Sequence, residues 1–266
     1  YVKFCPRIGD TYIDDIPTLS TRFGIKGIRV VAGMATFPLR ESVAKRTVLS
    51  IIDQVDELGI YLNNYNHVPS YMRHPKIRVF RDFEEKGDLN DVGKFYMLKY
   101  QKIQDGYYIS IDDDILYPPN YVNMLICKSQ QYQDKAIVGV HGTFYPNEFT
   151  RVFQKDRTVL SYKFELLTDT QVAFLGTGTM LYPLQLLGDV DFKYLFDSQG
   201  MHGKLDIYMA WYAKHFKIVN ICIARKKAWM QDIHTPKTAT HTLWNRFKND
   251  DKTHTATFER EKVYEL

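Results

Sequence analysis

Cysteine is scarce in this chain of 266 residues. The three cysteines, Cys5, Cys127 and Cys222, lie far apart and lack the short spacing of a structural metal site. Small secreted domains that depend on disulfides carry a much denser set of cysteines. The sequence therefore predicts unpaired thiols in a reducing compartment.

The chain also lacks a long apolar run. No stretch approaches the ~20 residues that span a bilayer. The first residues lack the basic, apolar and small segments of a signal peptide. We therefore expect a cytoplasmic protein, with any membrane association peripheral and at the inner face. Because the chain begins with Tyr1 rather than Met, we also expect a trimmed chain or part of a longer polypeptide.

No long basic run accompanies the net charge of +4. Nucleic-acid-binding domains gather Lys and Arg on one face or along one helix. The sequence therefore predicts no nucleic-acid partner. A mild positive charge is compatible with an anionic small molecule or an anionic membrane face.

An acidic stretch in the middle of the chain is the most informative feature. Residues 107–111 are β-branched and aromatic, which predicts a buried strand, and three carboxylates, Asp112, Asp113 and Asp114, follow it directly. Adjacent carboxylates repel one another, so a divalent cation with phosphate oxygens in its shell is the natural partner. The alternative is a solvated acidic turn, but such a turn needs only one Asp or Asn.

Strands and helices alternate in the first half of the chain. Because parallel strands connected by helices form a doubly wound sheet, we expect an α/β fold with a mostly parallel central sheet flanked by helices. Asp91 is the expected N-cap of the second helix. The predicted strands cover residues 28–33, 58–62, 77–80, 107–111 and 136–140, and the predicted helices cover 41–54, 92–103 and 119–131.

Polar residues follow the predicted strands and should converge on one crevice at the carboxyl ends of the sheet. They are residues 36–40, Asn63, Asn64, Asp82 and 112–114.

The pattern changes beyond residue 141, where we expect a smaller antiparallel portion. Its predicted strands cover 150–154, 159–163 and 171–175, followed by a helix at 205–216 and a buried strand at 218–224. We divide the chain into an irregular lead-in (1–27), an α/β half (28–140), a second half of the same domain (141–235) and a polar C-terminal tail (236–266).

Three other functions could explain acidic residues at the end of a strand. An EF-hand calcium loop needs Gly at its sixth position, and the sixth residue from Asp112 is Tyr117, which excludes it. A sugar nucleotidyltransferase usually has a glycine-rich phosphate-binding loop after the first strand. Only Gly33 is present there, which makes this function the weaker alternative. A non-catalytic carbohydrate-binding domain stays open as an alternative.

Several short motifs, in this order and spacing, resemble the GT-A glycosyltransferases of the family 2-like group that builds bacterial surface polysaccharides and capsules. The resemblance spans about residues 28–235. The matching residues are 36–40, 49–54, Asp112–Asp114 with the following Tyr-Pro-Pro, and the pair Leu205-Asp206.

The resemblance implies a nucleotide-diphosphate sugar donor, with a UDP-sugar favoured, bound together with Mn²⁺ or Mg²⁺. Asp112 and Asp114 would be the principal pair at the metal, and Asp113 the middle position at the donor. Alternation along a strand would also project residues 112 and 114 to one side. The nucleoside and phosphate contacts would come from Thr36, Arg40, Asp82 and Lys94, although a helix cap or an ion pair explains Lys94 equally well.

The resemblance further implies a sugar acceptor side, with a saccharide or a lipid-linked acceptor and inversion at the transferred sugar. Asp206 matches the position of the general base, with His202 as a substitute. The family usually has two acidic residues there, and an Asp in the first turn of a helix also favours the helix dipole. His234 would be a third metal ligand, and residues 176–179 would line the acceptor side.

Overall fold

The computed structural model describes residues 27–81, 87–100, 105–145, 148–197, 202–241 and 252–260. Nearly all of the predicted lead-in lies outside these ranges, as does Asp82. In chain order the strands are β1 (Val30–Thr36), β2 (Glu57–Leu62), β3 (Ile77–Phe80), β4 (Tyr107–Ile111), β5 (Ile115–Leu116), β6 (Ala136–Gly139), β7 (Gly142–Phe144), β8 (Thr158–Leu160), β9 (Thr170–Gln171), β10 (Phe174–Leu175), β11 (Thr179–Pro183), β12 (Val219–Cys222) and β13 (Gln231–Asp232).

The described helices surround this set of strands. The α-helices are α1 (Glu41–Ile51), α2 (Tyr121–Gln131), α3 (Phe192–Asp197), α4 (Leu205–His215) and α5 (Lys252–Arg260). The 3₁₀ helices are Pro38–Arg40, Ile52–Gln54, Ser70–Met72, Asn90–Tyr100 and Leu184–Leu187.

A sheet of eight strands forms the centre, in the order β3-β2-β1-β4-β11-β6-β12-β9. The strands β3, β2, β1, β4, β6 and β12 run in one direction, while β11 and β9 run in the other. The predicted fold class, a mostly parallel central sheet flanked by helices with a smaller antiparallel portion, is confirmed. In the smaller sheets, β7 pairs with β10 on one side and β8 on the other, and β13 pairs with β5.

Both faces of the sheet are buried, because successive side chains of a strand point to opposite faces. In β1, Ala32 and Met34 join one apolar cluster, which includes α1 and α2. Val31 and Ala35 join the other cluster, which includes the Asn90–Tyr100 helix and α4. A strand buried on both faces reads as a continuous apolar run, which is why the sequence predicts it well.

The antiparallel strand β11 lies in the middle of the sheet, between β4 and β6. Its first residue, Thr179, pairs with Ile111, the last residue of β4. Strand β11 therefore begins where β4 ends, and the residues just before β11 lie beside the three carboxylates. This arrangement brings the second half of the chain to the carboxyl ends of the parallel strands.

A predicted strand at residues 150–154 does not form. The side-chain Oε1 of Gln154 instead accepts hydrogen bonds from the main-chain N–H groups of Thr150, at 2.8 Å, and Arg151, at 3.3 Å. A side chain that satisfies nearby main-chain donors replaces the partner strand that those donors would need.

The helix α5 lies within the segment that the sequence analysis expected to be a tail rather than a core element. Phe258 of α5 is fully buried and packs with Val152, Ile207 and Ala210. Residues 252–260 therefore do contribute to the core. The sequence pattern could not indicate this, because periodicity needs several apolar residues and α5 has one large apolar side chain. Among the described residues, no helix is both long and apolar enough to cross a membrane.

We expect Phe258→Ala to lower the free energy of unfolding by about 3 kcal/mol, because it leaves a cavity in a packed aromatic cluster. Urea denaturation followed by circular dichroism measures this change. Phe164→Ala is the matched control, since the Phe164 residue is 62% exposed, and it should change stability by less than about 0.5 kcal/mol. Equal effects of the two substitutions would show that α5 does not contribute to the stability of the fold.

Candidate functional site

A cavity of about 450 Å³ opens at the carboxyl ends of β1, β2 and β4. Most of the polar residues predicted to converge there do line it, including Thr36, Arg40, Asn63, Asn64, Asp112 and Asp113. Asp82 belongs to the same prediction and lies outside the described residues. The sheet topology thus collects these side chains from strand ends far apart in the sequence.

Arg40 pairs with two of the three carboxylates. It ends the Pro38–Arg40 turn that follows β1, and its Nη1 donates to Asp113 Oδ1 and lies 3.0 Å from Asp114 Oδ2. Burial, together with the charges of Asp112 and Asp113, raises the pKa of Asp114 to about 7, while Arg40 acts in the opposite direction. Asp114 therefore gives up its proton close to neutral pH.

Lys94 pairs with the remaining carboxylate. Its Nζ donates to Asp112 Oδ1, and the Lys94 residue is 6% exposed. Burial opposes ionisation of Asp112, but the ammonium group of Lys94, its hydrogen bond and the charge of Arg40 together lower the pKa of this carboxyl. The Lys94 side chain is buried, whereas the Asp112 side chain is 37% exposed, so the structure has a half-buried ion pair rather than the surface ion pair that could have explained Lys94.

Asp112 and Asp114 have different cationic partners, and the strand alternation that predicted them to project to one side does not extend to these residues. Asp113 and Asp114 share Arg40, while Asp112 faces Lys94. Alternation of side chains holds only within a strand. Here β4 ends at Ile111, and residues 113 and 114 form a turn before β5.

Gly178 permits the close approach of β11 to the acidic motif. A Cβ at this position would lie 2.0 Å from Asp112 Oδ2, so any side chain here would displace that carboxylate. The hydroxyl of Tyr117 also joins the two segments. It accepts a hydrogen bond from the Asp112 N–H at 2.9 Å and donates one to the Gly178 carbonyl at 2.6 Å.

Asp206, the predicted base, lies in the first turn of α4 and is oriented by Thr177. The N–H and the hydroxyl of Thr177 both donate to Asp206 Oδ1, at 2.8 and 2.6 Å. The Thr177 hydroxyl also lies 3.5 Å from Lys94 Nζ. A continuous polar chain therefore links the acidic motif, through Lys94 and Thr177, to Asp206.

His234 lies beside Asp114 because β13 pairs with β5. The N–H of Ile233 donates to the Asp114 carbonyl at 2.7 Å, which fixes the backbone next to the histidine. His234 Nδ1 then lies 3.8 Å from Asp114 Oδ2, and its Nε2 lies 3.8 Å from Asp232 Oδ2. Two of the three predicted metal ligands thus lie close together.

The other histidines take different places. His202 precedes α4, and burial lowers the pKa of its imidazole while Asp88 opposes this. The main-chain carbonyl of His241 accepts a hydrogen bond from Arg40 Nη2 at 3.3 Å. His254 in α5 lies with its Nε2 3.2 Å from the Gly203 carbonyl.

The chemistry of the acidic motif suits a hard divalent cation. Carboxylate oxygens and an imidazole are common ligands of Mn²⁺, and here three carboxylates, one of them beside His234, lie against the two cations Arg40 and Lys94. Within the described parts of the chain, however, no three His, Cys, Asp or Glu side chains already form a group arranged to hold a metal ion. Because Asp112 faces Lys94, the assignment of Asp112, Asp114 and His234 stays a prediction.

Sequence reasoning assigned Asp91 the wrong role. It was expected to cap its own helix, yet its Oδ1 accepts the N–H of Gly203 at 2.5 Å and its Oδ2 accepts the N–H of Leu205 at 3.1 Å. Its own segment is the 3₁₀ helix Asn90–Tyr100 rather than the α-helix predicted at 92–103. Burial raises the pKa of Asp91 to about 6, with Lys94 and the two N–H donors acting against this.

No family model matches the sequence, and no curated protein matches it either. Solved structures do match the fold. GalNAc-T7, crystallised with UDP, GalNAc and Mn²⁺, superposes with a TM-score of 0.54 at 9% identity, over 88% of this chain and 54% of that one. TarS of S. aureus superposes with a TM-score of 0.50 at 12% identity, over 79% of this chain and 37% of that one.

At such low identity, these likenesses show the fold alone. The chain has the GT-A fold of these two structures, and it spans about half of one and just over a third of the other. A third structure, 4-diphosphocytidyl-2C-methyl-D-erythritol synthase, has a TM-score of 0.47, which supports no inference. Function must therefore be argued from the site itself.

We expect Lys94→Met to lower the free energy of unfolding by about 1–3 kcal/mol near neutral pH, because it leaves the half-buried carboxylate of Asp112 without its cationic partner. The loss should be smaller at about pH 5, where protonation of the carboxylates removes the unpaired charge. Urea denaturation at both pH values measures this. Lys45→Met, at an exposed position of α1, is the control and should change stability little at either pH. A pH-independent loss in Lys94→Met would contradict the ion pair.

Proposed function

We propose that this protein is a glycosyltransferase that moves a sugar from a UDP-sugar to a saccharide or lipid-linked acceptor, with inversion, in polysaccharide or glycoconjugate synthesis. The observation that carries this proposal is a polar chain that begins at Asp112 and Lys94 in the wall of the 450 Å³ cavity and continues through Thr177 to Asp206. It joins a diphosphate-type site to a carboxylate suited to proton abstraction.

The donor would occupy the cavity at the carboxyl ends of β1, β2 and β4. We assign the nucleoside and phosphates to Thr36, Arg40, Asp82, Lys94 and Asp113. Arg40 and Lys94 bring two positive charges to this cavity, and cationic side chains stabilise the negative charge that develops on a departing diphosphate. Because both cations are already fixed by carboxylates, little reorganisation is needed when the bond breaks.

We assign the metal to Asp112, Asp114 and His234. When bound, Mn²⁺ or Mg²⁺ supplies Lewis-acid stabilisation of the diphosphate. The position of His234 Nδ1, 3.8 Å from Asp114 Oδ2, supports this assignment, because carboxylate oxygens and imidazole nitrogens are common ligands of Mn²⁺.

Asp206 would accept the proton of the acceptor hydroxyl. An inverting transfer needs a base within hydrogen-bond reach of the attacking hydroxyl. Thr177 donates both of its bonds to Oδ1 of Asp206, which fixes the rotamer of the carboxylate. A base held in one orientation loses less entropy on reaching the transition state.

Gly33 argues against the rival reading as a sugar nucleotidyltransferase. It lies inside β1, and a Cβ there would meet the Tyr108 hydroxyl at 1.8 Å and the Lys94 carbonyl at 2.0 Å. This glycine is required for packing and does not belong to a phosphate-binding loop. The remaining rival, a non-catalytic carbohydrate-binding domain, gives no reason for the linked pair of Lys94 and Asp206.

We expect UDP to bind more tightly in the presence of Mn²⁺, and Asp114→Asn to abolish this gain. The amide keeps the shape of the side chain and loses its charge, so metal affinity should fall by about tenfold or more. Isothermal titration calorimetry with UDP, with and without Mn²⁺, measures both effects. Asp53→Asn, at an exposed position after α1, is the control and should bind like the wild type. UDP affinity independent of metal in the wild type would refute the proposal.

A second pair of variants tests the same site by adding a Cβ at a glycine next to the carboxylates. Gly178→Ala displaces Asp112 and should weaken binding of UDP with Mn²⁺, whereas Gly188→Ala, where a Cβ meets no atom within 4 Å, should not. Both substitutions should leave the circular dichroism spectrum unchanged.

We expect Asp206→Asn to slow the release of UDP from a UDP-sugar by about 10²-fold or more, with UDP binding unchanged. The measurement is UDP release from UDP-glucose, UDP-galactose and the two UDP-N-acetylhexosamines with Mn²⁺, where water replaces the unidentified acceptor. Asp53→Asn again serves as the control. An unimpaired rate in Asp206→Asn would show that Asp206 is not the base, and His202 would then be the next candidate.

A further inference from the structure

The start of helix α4 is held by a side chain from a distant part of the sequence. The first turn of an α-helix leaves main-chain N–H groups without intrahelical partners. Lys204 precedes α4, and a lysine side chain has no acceptor atom with which to cap them. Asp91 supplies the acceptors instead, with one oxygen for Gly203 and the other for Leu205.

The same short loop is also held from the opposite side. The carbonyl of Gly203 lies 3.2 Å from Nε2 of His254 in α5, and the His254 residue is 6% exposed. Gly203 has a φ of +79°, a left-handed conformation that glycine adopts without strain. The loop that leads into α4 is therefore fixed between Asp91 and His254 in one conformation.

Asp91 also belongs to the wall of the cavity, three residues before Lys94. Asp91 therefore connects the cavity wall directly to the start of α4, the helix that carries Asp206. The two hydrogen bonds of Asp91 end at Gly203 and Leu205, and Asp206 is the next residue in the chain. A shift of this loop would move the Asp206 carboxylate relative to the cavity.

We propose that Asp91 is a positioning residue, which caps helix α4 and thereby fixes the carboxylate of Asp206 at the correct distance from the bound donor. This inference rests on the proposed function, because it concerns the placement of the proposed base. A displacement of about 1 Å in a reacting group can lower a rate by about 10²-fold. Asp91 thus acts on the rate through Asp206, without itself contacting the reacting atoms.

The test compares Asp91→Asn and Asp91→Ala with the wild type in UDP release from the best UDP-sugar of the panel. The amide oxygen of Asn can accept one of the two N–H bonds and Ala can accept neither. We expect kcat to fall by about tenfold in Asp91→Asn and by about 10²-fold in Asp91→Ala. KM for the donor should stay within about threefold of the wild type, because the contacts of the other cavity residues are retained.

Asp134→Asn is the matched control for a purely structural effect. Asp134 Oδ1 accepts bonds from the hydroxyls of Tyr107, at 2.9 Å, and Ser129, at 2.7 Å, on a different part of the fold. The Asp134→Asn substitution should lower thermal stability. It should leave kcat unchanged at a temperature where the variant and the wild type are both folded. Amide hydrogen exchange gives a second readout, since Asp91→Asn should speed exchange at 203–208 and leave β4 unchanged.

The outcomes separate the two proposals. A wild type that releases no UDP from any donor would overturn the proposed function and this inference with it. An active wild type together with an unchanged kcat in folded Asp91→Ala would overturn the inference alone, as would a fall in UDP affinity equal to the fall in kcat. If neither Asp91 variant folds, His254→Leu removes the contact on the other side of Gly203 and must show the same fall in kcat at constant KM.

Discussion

The compensation of buried negative charge at the end of β4 is the constraint on which the site depends. Isolated charges inside a protein are strongly unfavourable unless each one has a partner. Arg40 arrives from the turn after β1 and Lys94 from the Asn90–Tyr100 helix, so two separate connections must adopt fixed conformations to supply the cations. The acidic motif therefore organises the loops around it as well as the ligand that it would bind.

The antiparallel strand β11 connects the two functions proposed for the site. A parallel strand in its place would start at the far edge of the sheet, and Thr177 and Gly178 would then lie away from the carboxylates. Because β11 runs against β4, its first residues meet the last residue of β4. The proposed donor side and the proposed acceptor side thus share one edge of one sheet, and Thr177 contacts both Lys94 and Asp206.

The sequence predicts the parts of this architecture that depend on local pattern. Buried strands such as β1 and β4 are largely apolar runs, and the carboxylates directly after β4 identify the edge of the sheet at which the cavity lies. His234 was placed near the metal position from its spacing after the last buried strand, and the β5–β13 pairing brings it beside Asp114.

The remaining features depend on contacts between residues far apart in sequence. Asp91 reads as a local helix cap, because Asp before an apolar segment is typical of one, yet its partners lie more than 100 residues later. Phe258 is the one large apolar side chain of α5, and its burial follows from the cluster around Val152, whose other members come from distant parts of the sequence. Local pattern carries no information on such pairs.

Gly178 offers a way to interpret related sequences. Within any set of chains that share this fold, a residue with a side chain at the corresponding position cannot coexist with a carboxylate oriented as in Asp112. A chain that keeps three aspartates after the fourth strand but replaces this glycine would have lost the geometry while keeping the motif. The glycine, rather than the more visible run of aspartates, would then separate active members of such a set from inactive ones.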